Sequence, residues 1–296
     1  MNILMTGGTG LIGRAFIERF AEYSYTVLTR SVAGAGALLP DSVRLITSLS
    51  ELANLNEFDA VINLAGEPII GKRWSDRQKD TICQSRWQVT RQLVELFAAS
   101  ERPPSVFLSG SAIGAYGDRG DELLTEQSGV KVCDFPTEVC LRWEEIAGEA
   151  QSFTRVVLLR TGIVLDNRGG ALAKMLLPFK FALGGRLGNG RQFMSWIHVR
   201  DQVEAMAYLL AAENLRGAVN LVAPNPVTNR DFTQALARGL HRPAPFPVPA
   251  FLLQKVMGEA SSLLLDSERV APRQLLDSGF QFTFPDVESA LADLLA

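Results

Sequence analysis

The sequence has only two histidines, His198 and His241, and three cysteines, Cys83, Cys133 and Cys140. So few histidines argue against a histidine-built metal site. The cysteines are odd in number and lack metal-ligand spacing, so no metal is expected and a reduced, cytoplasmic compartment fits them best. No apolar run is long enough to span a bilayer, so no membrane association is expected. The N-terminus, "MNILMTGG", has no basic stretch and turns glycine-rich at once, which does not read as a signal peptide. Positive charge is not in excess. Against 32 Asp and Glu stand 29 Lys and Arg, a net charge of −3, so a nucleic-acid partner is not expected. Internal repeats and low-complexity tracts are absent. What remains is ordinary for a globular protein: 296 residues, 47% apolar and 21% charged, enough to bury a sizeable core.

The first half alternates strand and helix. "NILMT" (2–6), "YTVLTR" (25–30), "VRLI" (43–46), "AVINLAG" (60–66), "SVFLSG" (105–110) and "TRVVLLRTGIVL" (154–165) read as strands. A helical pattern follows the first glycines, and a long one covers about 75–100, stopped by "PP" at 103–104. This alternation predicts a Rossmann-type α/β fold, a doubly wound parallel sheet with helices on both faces. Past residue 165 the pattern breaks up into "GGRLGNGRQ" (184–192), the short strand "MSWIHV", a helix over 200–213 and the strand "AVNLVAP" (218–224). "HRPAPFPVP" (241–249) holds four prolines and reads as a joint. The expected division is 1–240 as the main domain and 250–296 as a small, mostly helical C-terminal region. Its apolar positions, among them Phe251, Leu252, Val256, Leu263, Leu264 and Leu275, need burial.

"TGGTGLIG" (6–13) follows a strand and opens a helix. Gly7 and Gly8 permit a tight turn, Gly10 admits a pyrophosphate, and Gly13 lets helix and strand pack closely. With Thr9, Leu11 and Ile12 between them, they form a candidate anion cradle at a helix N-terminus. An acid at the end of the second strand would hold the ribose 2′-OH of NAD. That strand ends instead in Thr29, Arg30 and Ser31. Arg30 suits a 2′-phosphate, so NADP(H) is the expected cofactor. Leu64, Ala65 and Gly66 end the fourth strand with small residues and would pass beside the dinucleotide.

The glycine motif, "NLAG", the long helix and "SGSAIGAYG" in this order resemble the extended short-chain dehydrogenase/reductases. "WSDRQKDTICQSRWQVT", "DFPTEVCLRWE", "RTGIVL" and "LLPFKFALGGRLGNGRQFMSWIHVRD" extend the likeness over nearly the whole chain. They are similar to an atypical branch of the NAD(P)-dependent epimerase/dehydratase family, the epimerase family proteins, with a short C-terminal domain of unassigned role. The resemblance implies an NADP-binding fold. It also implies a cofactor contact from Arg86 on the long helix, backbone contact from Val164 at the nicotinamide end, and a substrate-holding role for Ser111.

The typical members keep a tyrosine as acid/base and a lysine four residues on. "CDFPTEVCLRWEE" (133–145) has neither. Aligning Glu144 with the acid that usually follows the lysine puts Pro136 and Cys140 on the two positions; sliding by one puts Phe135 and Val139 there. Phe135, Val139, Trp143 and Ile146 form one apolar face, so the helix is explicable as core. Glu138, Arg142, Glu145 and Glu149 form the solvated stripe, with Glu138 and Arg142 at pairing distance. Candidate substitutes are Ser111, Tyr116 and His198. Tyr116 shows no cation beside it in the sequence, and so reads as a poor base. Arg191 and Gln192 are candidate substrate contacts on the glycine-rich loop. Two functions fit: a reductase or epimerase acting on a small polar, sugar-nucleotide-like molecule, or an NADP(H)-binding sensor that has lost its chemistry.

Overall fold

The computed structural model describes residues 1–296. In chain order the first half runs β1 (Asn2–Thr6), α1 (Leu11–Arg19), β2 (Ser24–Leu28), α2 (Val32–Gly36), β3 (Arg44–Ile46), β4 (Ala60–Asn63), α3 (Asp76–Ala98), β5 (Val106–Ala112), β6 (Leu123–Leu124), α4 (Phe135–Gly148) and β7 (Arg155–Thr161). The second half runs β8 (Ile163–Asp166), α5 (Gly170–Lys180), β9 (Phe193–Met194), β10 (Trp196–His198), α6 (Val199–Ala211), β11 (Gly217–Leu221), β12 (Val227–Thr228) and α7 (Asn229–Gly239). It closes with α8 (Ala250–Met257), α9 (Ser262–Leu265), β13 (Arg269–Val270), α10 (Arg273–Ser278) and α11 (Val287–Leu295). No helix is long and apolar enough to cross a membrane.

Seven strands form one sheet in the order β11-β7-β5-β4-β1-β2-β3, and every neighbouring pair is parallel. Chain order runs outward from β1 in both directions, so the winding reverses between β1 and β4. In such sheets ligands bind at that reversal, beyond the carboxyl ends of the strands. The central strands are buried on both faces, which is why they read as unbroken apolar runs. One apolar cluster, with Ile3, Met5, Phe16, Val27 and Leu209, fills one face of the sheet. A second, with Leu4, Val61, Leu93, Phe97 and Phe107, fills the other.

Local signals fix the helices that frame the crevice. Ser75 caps α3 by accepting from the Gln78 N–H. Asp134 caps α4 by accepting from the Thr137 N–H at 2.8 Å, with Pro136 in the first turn. Such caps are worth about 1 kcal/mol each. The apolar face of α4 is core, with Phe135, Val139, Trp143 and Ile146 all buried. On its exposed stripe Arg142 pairs with Glu145, three residues on, and not with Glu138. The helix α5 is not legible in the local sequence, because its glycine start and internal Pro178 mask the period.

The C-terminal region divides. α8 buries no residue, and Phe251 and Val256 are exposed. The half that follows α9 is built into the main body, which is tighter than an appendage on its edge. Leu275 and Phe280 join the apolar cluster of the β-sheet. Phe284, Val287, Leu291 and Leu294 pack with Trp196, Leu172 and Phe232. β13 pairs with β6. The proline-rich joint is also held: the Val248 N–H donates to Arg186 O at 2.8 Å, and Val248 O accepts from the Gly188 N–H at 2.9 Å.

Candidate active site at the sheet reversal

The glycine turn closes on the end of β4. Gly7 has φ 69°, and a Cβ there would lie 2.5 Å from Leu64 O. A Cβ on Gly13 would lie 2.6 Å from Gly7 O, so neither position admits a side chain. Gly10 is different. Its Cβ would meet only Gly7 O, at 3.1 Å, so the protein leaves the space above it free. Gly10 is also the N-cap of α1, and no side chain caps that helix. The first-turn N–H groups at Leu11 and Ile12 thus lack a side-chain acceptor and suit an anion. Thr9 sits between the two glycine pairs on the same turn.

The floor of the crevice is pinned by a buried polar chain. Thr6 Oγ1 donates to Asn63 Oδ1 (2.6 Å), Asn63 Nδ2 donates to Thr90 Oγ1 (2.8 Å), and Trp143 Nε1 donates to the same hydroxyl (2.8 Å). This ties β1, β4, α3 and α4 together beneath Leu64, Ala65 and Gly66. Arg86 leans over Gly66, whose Cβ would lie 2.8 Å from the guanidinium carbon. It donates to Glu67 O at 3.1 Å and Ile82 O at 3.0 Å. Burial works against its charge.

At the end of β2, Thr29 is buried and its hydroxyl accepts from the Ser31 N–H at 3.2 Å. The Arg30 side chain is 97% exposed, with Glu67 4.0 Å away. That carboxylate is engaged by Lys72 at 2.7 Å. Val164, like Ile12 and Leu64, is partly buried against the main apolar cluster. The donor set fits a 2′-phosphorylated dinucleotide: a side-chain-free cradle, an exposed arginine held only by a long contact to Glu67, and no acid at the end of β2.

The three proposed substitutes do not converge. Ser111 and Tyr116 belong to one buried network, arranged by sheet register. Ser111 on β5 lies beside Arg160 on β7, which lies beside Asn220 on β11. Side chains in one row of a parallel sheet share a face. Arg160 forms a two-pronged ion pair with Glu144 of α4, Nε to Oε1 and Nη2 to Oε2, both 2.7 Å. Ser111 Oγ donates to the same Oε1 at 2.7 Å. Arg160 also stands 4.8 Å over the Tyr116 ring, whose hydroxyl donates to Asn220 Oδ1 at 2.8 Å. Tyr116 therefore has the cation that the sequence hid. Burial nonetheless raises its pKa, outweighing the pull of Arg160. Both hydroxyls are donors already committed inside the protein.

His198 is elsewhere. Its Nδ1 accepts from the Arg200 N–H and caps α6, its Nε2 lies 3.2 Å from Asp293 of α11, and its ring stacks 3.9 Å from Phe284. Burial lowers its pKa. The structure thus places it between α6 and the C-terminal segment, apart from Ser111 and Tyr116. Gln192 is likewise turned inward: it is buried and donates to Leu187 O at 3.1 Å and Leu264 O at 3.0 Å. Arg191 beside it is exposed.

The two registers of α4 are now separable. Phe135 and Val139 pack with Trp74, Ile82 and Ala260. Pro136 and Cys140 face the turn after β5, where a Cβ on Gly114 would lie 3.6 Å from Pro136 Cβ and 3.9 Å from Cys140 Sγ. Of the two registers, the one that sets Pro136 and Cys140 on the two positions is the one whose residues face that turn. Burial pushes the Cys140 thiol up to about 12, which leaves it un-ionised at neutral pH. Sequence reasoning missed Arg160 and Asn220. The visible signal for them was a charge in "VVLLRTG" and an amide in "AVNLVA", polar groups inside buried strands.

Residues 3–134 match the NAD dependent epimerase/dehydratase family, and residues 248–294 match a domain of unknown function (DUF1731). The epimerase family protein YfhF of Bacillus subtilis (strain 168) is 37% identical, over 100% of this chain and 98% of its own. The human epimerase family protein SDR39U1, whose crystal structure contains NADPH, is 32% identical. It superposes with a TM-score of 0.90 over 100% of this chain and 99% of its own. A nucleoside-diphosphate sugar epimerase from Corynebacterium glutamicum is also 32% identical, with a TM-score of 0.78. That match covers 100% of this chain and 58% of the longer protein. The chain belongs to the epimerase family proteins, an NAD(P)-binding branch of the NAD-dependent epimerase/dehydratase family that carries the DUF1731 domain at its C-terminal end.

Proposed function

We propose that this chain is an NADP(H)-dependent oxidoreductase acting on a small polar substrate. The observation that carries the choice of cofactor is the end of β2. It offers Arg30, 97% exposed, and no carboxylate. A guanidinium there pairs with a 2′-phosphate in a charge-assisted bond, where an acid would have repelled it. The NADPH in the human relative supports the same reading.

When bound, the nicotinamide supplies a hydride to a substrate carbon or accepts one from it. The chain's own contribution is binding and orientation. The turn at Gly7–Gly13 and the N-terminus of α1 hold the pyrophosphate. Arg30, with Thr29 behind it, holds the 2′-phosphate. Leu64, Ala65 and Gly66 flank the dinucleotide under Arg86, and Val164 borders the nicotinamide end. The exposed Arg191 is available to a phosphate or carboxylate on the substrate. A second reading, an NADP(H) sensor, is favoured by one observation: the Ser111 and Tyr116 hydroxyls are spent on Glu144 and Asn220.

Fluorescence titration with NADPH and NADH tests the first half of the proposal, and NADPH oxidation against a panel of small carbonyl compounds and sugar nucleotides tests the second. Preferential NADPH binding with turnover supports the oxidoreductase. Preferential binding without turnover on any of the panel supports the sensor. Equal affinity for the two cofactors overturns the argument from Arg30.

A further inference from the structure

The absent tyrosine and lysine leave α4 facing the turn after β5 with Pro136 and Cys140. A third group reaches the same spot from far along the chain. A Cβ on Gly114 would lie 3.9 Å from Glu268 Oε1, the same distance as from Cys140 Sγ. Glu268 stands at the head of β13, inside the C-terminal domain of unknown function. Its backbone is fixed on both sides. Ser195 Oγ donates to Glu268 O at 2.7 Å and accepts from the Val270 N–H at 2.8 Å. Ser267 Oγ bonds Gly120 O, and the Ser267 N–H donates to Asp118 Oδ1 at 3.2 Å. A strand held this firmly delivers its side chain in one place.

The carboxyl itself is engaged by nothing. No hydrogen bond or cation in the protein stabilises its charge, and the groups around it are acids: Asp266, Asp134 and Asp118. Cys140, un-ionised, borders the same Gly114 position, and its thiol feels the charges of Glu144, Arg86 and Glu268. The neighbouring Arg269 turns away, over the Phe193 ring at 5.0 Å and towards Asp121 O at 3.3 Å. Burial is the main cause that raises the Glu268 carboxyl to about 8, with the three aspartates adding to it. The residue as a whole keeps part of its surface open.

We propose that Glu268 is the proton-transfer group of this enzyme, so that the C-terminal domain supplies the acid/base that α4 has lost. This rests on the oxidoreductase reading above. Reduction of a carbonyl adds a hydride to carbon and a proton to oxygen. Two electrons leave the reduced nicotinamide with the hydride. The Glu268 O–H bond breaks as the O–H bond of the product alcohol forms. The carboxylate left behind regains its proton from water. A carboxyl that is protonated at neutral pH donates, which is the same solution that buried acids provide elsewhere.

Glu268→Gln keeps the shape and removes the acid. Turnover of the best carbonyl substrate is expected to fall about 100-fold or more in kcat, the usual contribution of general acid–base catalysis. NADPH affinity should be unchanged. Wild-type turnover should fall as pH rises through about 8, and the residual rate of the variant should not.

A measurement without turnover comes from melting temperature. A carboxyl whose folded pKa is raised contributes stability below its unfolded pKa and loses it as pH rises through the folded one. The melting temperature of Glu268→Gln relative to wild type should therefore climb between pH 5 and pH 8 and then level off. Glu268→Asp, which keeps the acid, should retain more turnover than the glutamine variant. Turnover unchanged in Glu268→Gln, or a flat melting difference across that range, overturns the assignment. A wild-type protein that binds NADPH and reduces none of the panel overturns the oxidoreductase reading, and this assignment with it.

Discussion

Replacing Arg160 with leucine tests whether the Ser111–Glu144–Arg160–Tyr116 network is scaffold or machinery. The side chains of Arg160 and Glu144 are 6% and 9% exposed. Without the guanidinium, Glu144 keeps only the bond donated by Ser111. Leaving one charge of a buried pair unpaired costs about 3–5 kcal/mol. For a chain of this size each kcal/mol lowers the melting temperature by about 2–4 °C. The expected drop is therefore about 6–20 °C, out of a total stability of about 5–15 kcal/mol. The double variant Arg160→Leu/Glu144→Leu removes both charges and restores apolar volume. It should recover most of the loss, less about 1–3 kcal/mol for the stranded Ser111 hydroxyl. Thermal melts followed by circular dichroism at neutral pH decide it. A single variant within about 2 °C of wild type would show that solvent reaches the pair, and that the burial argument is wrong. A double variant no better than the single would show that packing, and not the unpaired charge, carries the cost.

Arg30→Ala should weaken NADPH binding by about 10–100-fold, the worth of a charge-assisted bond, and leave NADH binding untouched; titration showing equal losses for both would count against the 2′-phosphate contact. Gly10→Ala should fold and lose cofactor affinity, whereas Gly13→Ala should unfold or melt far lower, because its Cβ would sit 2.6 Å from Gly7 O; parallel melts and titrations would expose a wrong ranking. His198 is held neutral by burial, so the unfolded chain takes up its proton first as pH falls below the unperturbed value of about 6.5, and stability present above that pH is lost below it. His198→Gln should flatten that part of the acid decline, and melting curves between neutral and mildly acidic pH with wild-type slope would refute this. Ending the chain before Val248 should give an insoluble or molten product, since Leu275, Phe280 and Leu291 are each about 1.5–3 kcal/mol of buried core; a soluble, cooperatively melting fragment would contradict it.

The local sequence by itself determined the parallel sheet, the glycine cradle and the basic end of β2. Each of these is a short-range pattern. Two-faced burial makes an apolar run of β1, β4 and β5. The close contacts of Gly7 and Gly13 demand glycine within one turn. Arg30 stands where an acid would otherwise be. It also determined that α4 lacks the tyrosine and lysine, but not which of its faces turns to the end of β5. That question, and everything about substitutes, waited on distances between segments far apart in the chain. Ser111, Arg160 and Asn220 meet because three parallel strands share a register. Tyr116 finds its cation from a strand more than forty residues on. His198 meets Asp293 of α11, nearly a hundred residues on. Glu268 reaches Gly114 from 154 residues further along the chain. A side chain's protonation depends on what surrounds it. For a buried carboxyl those surroundings come from elements that only packing brings together.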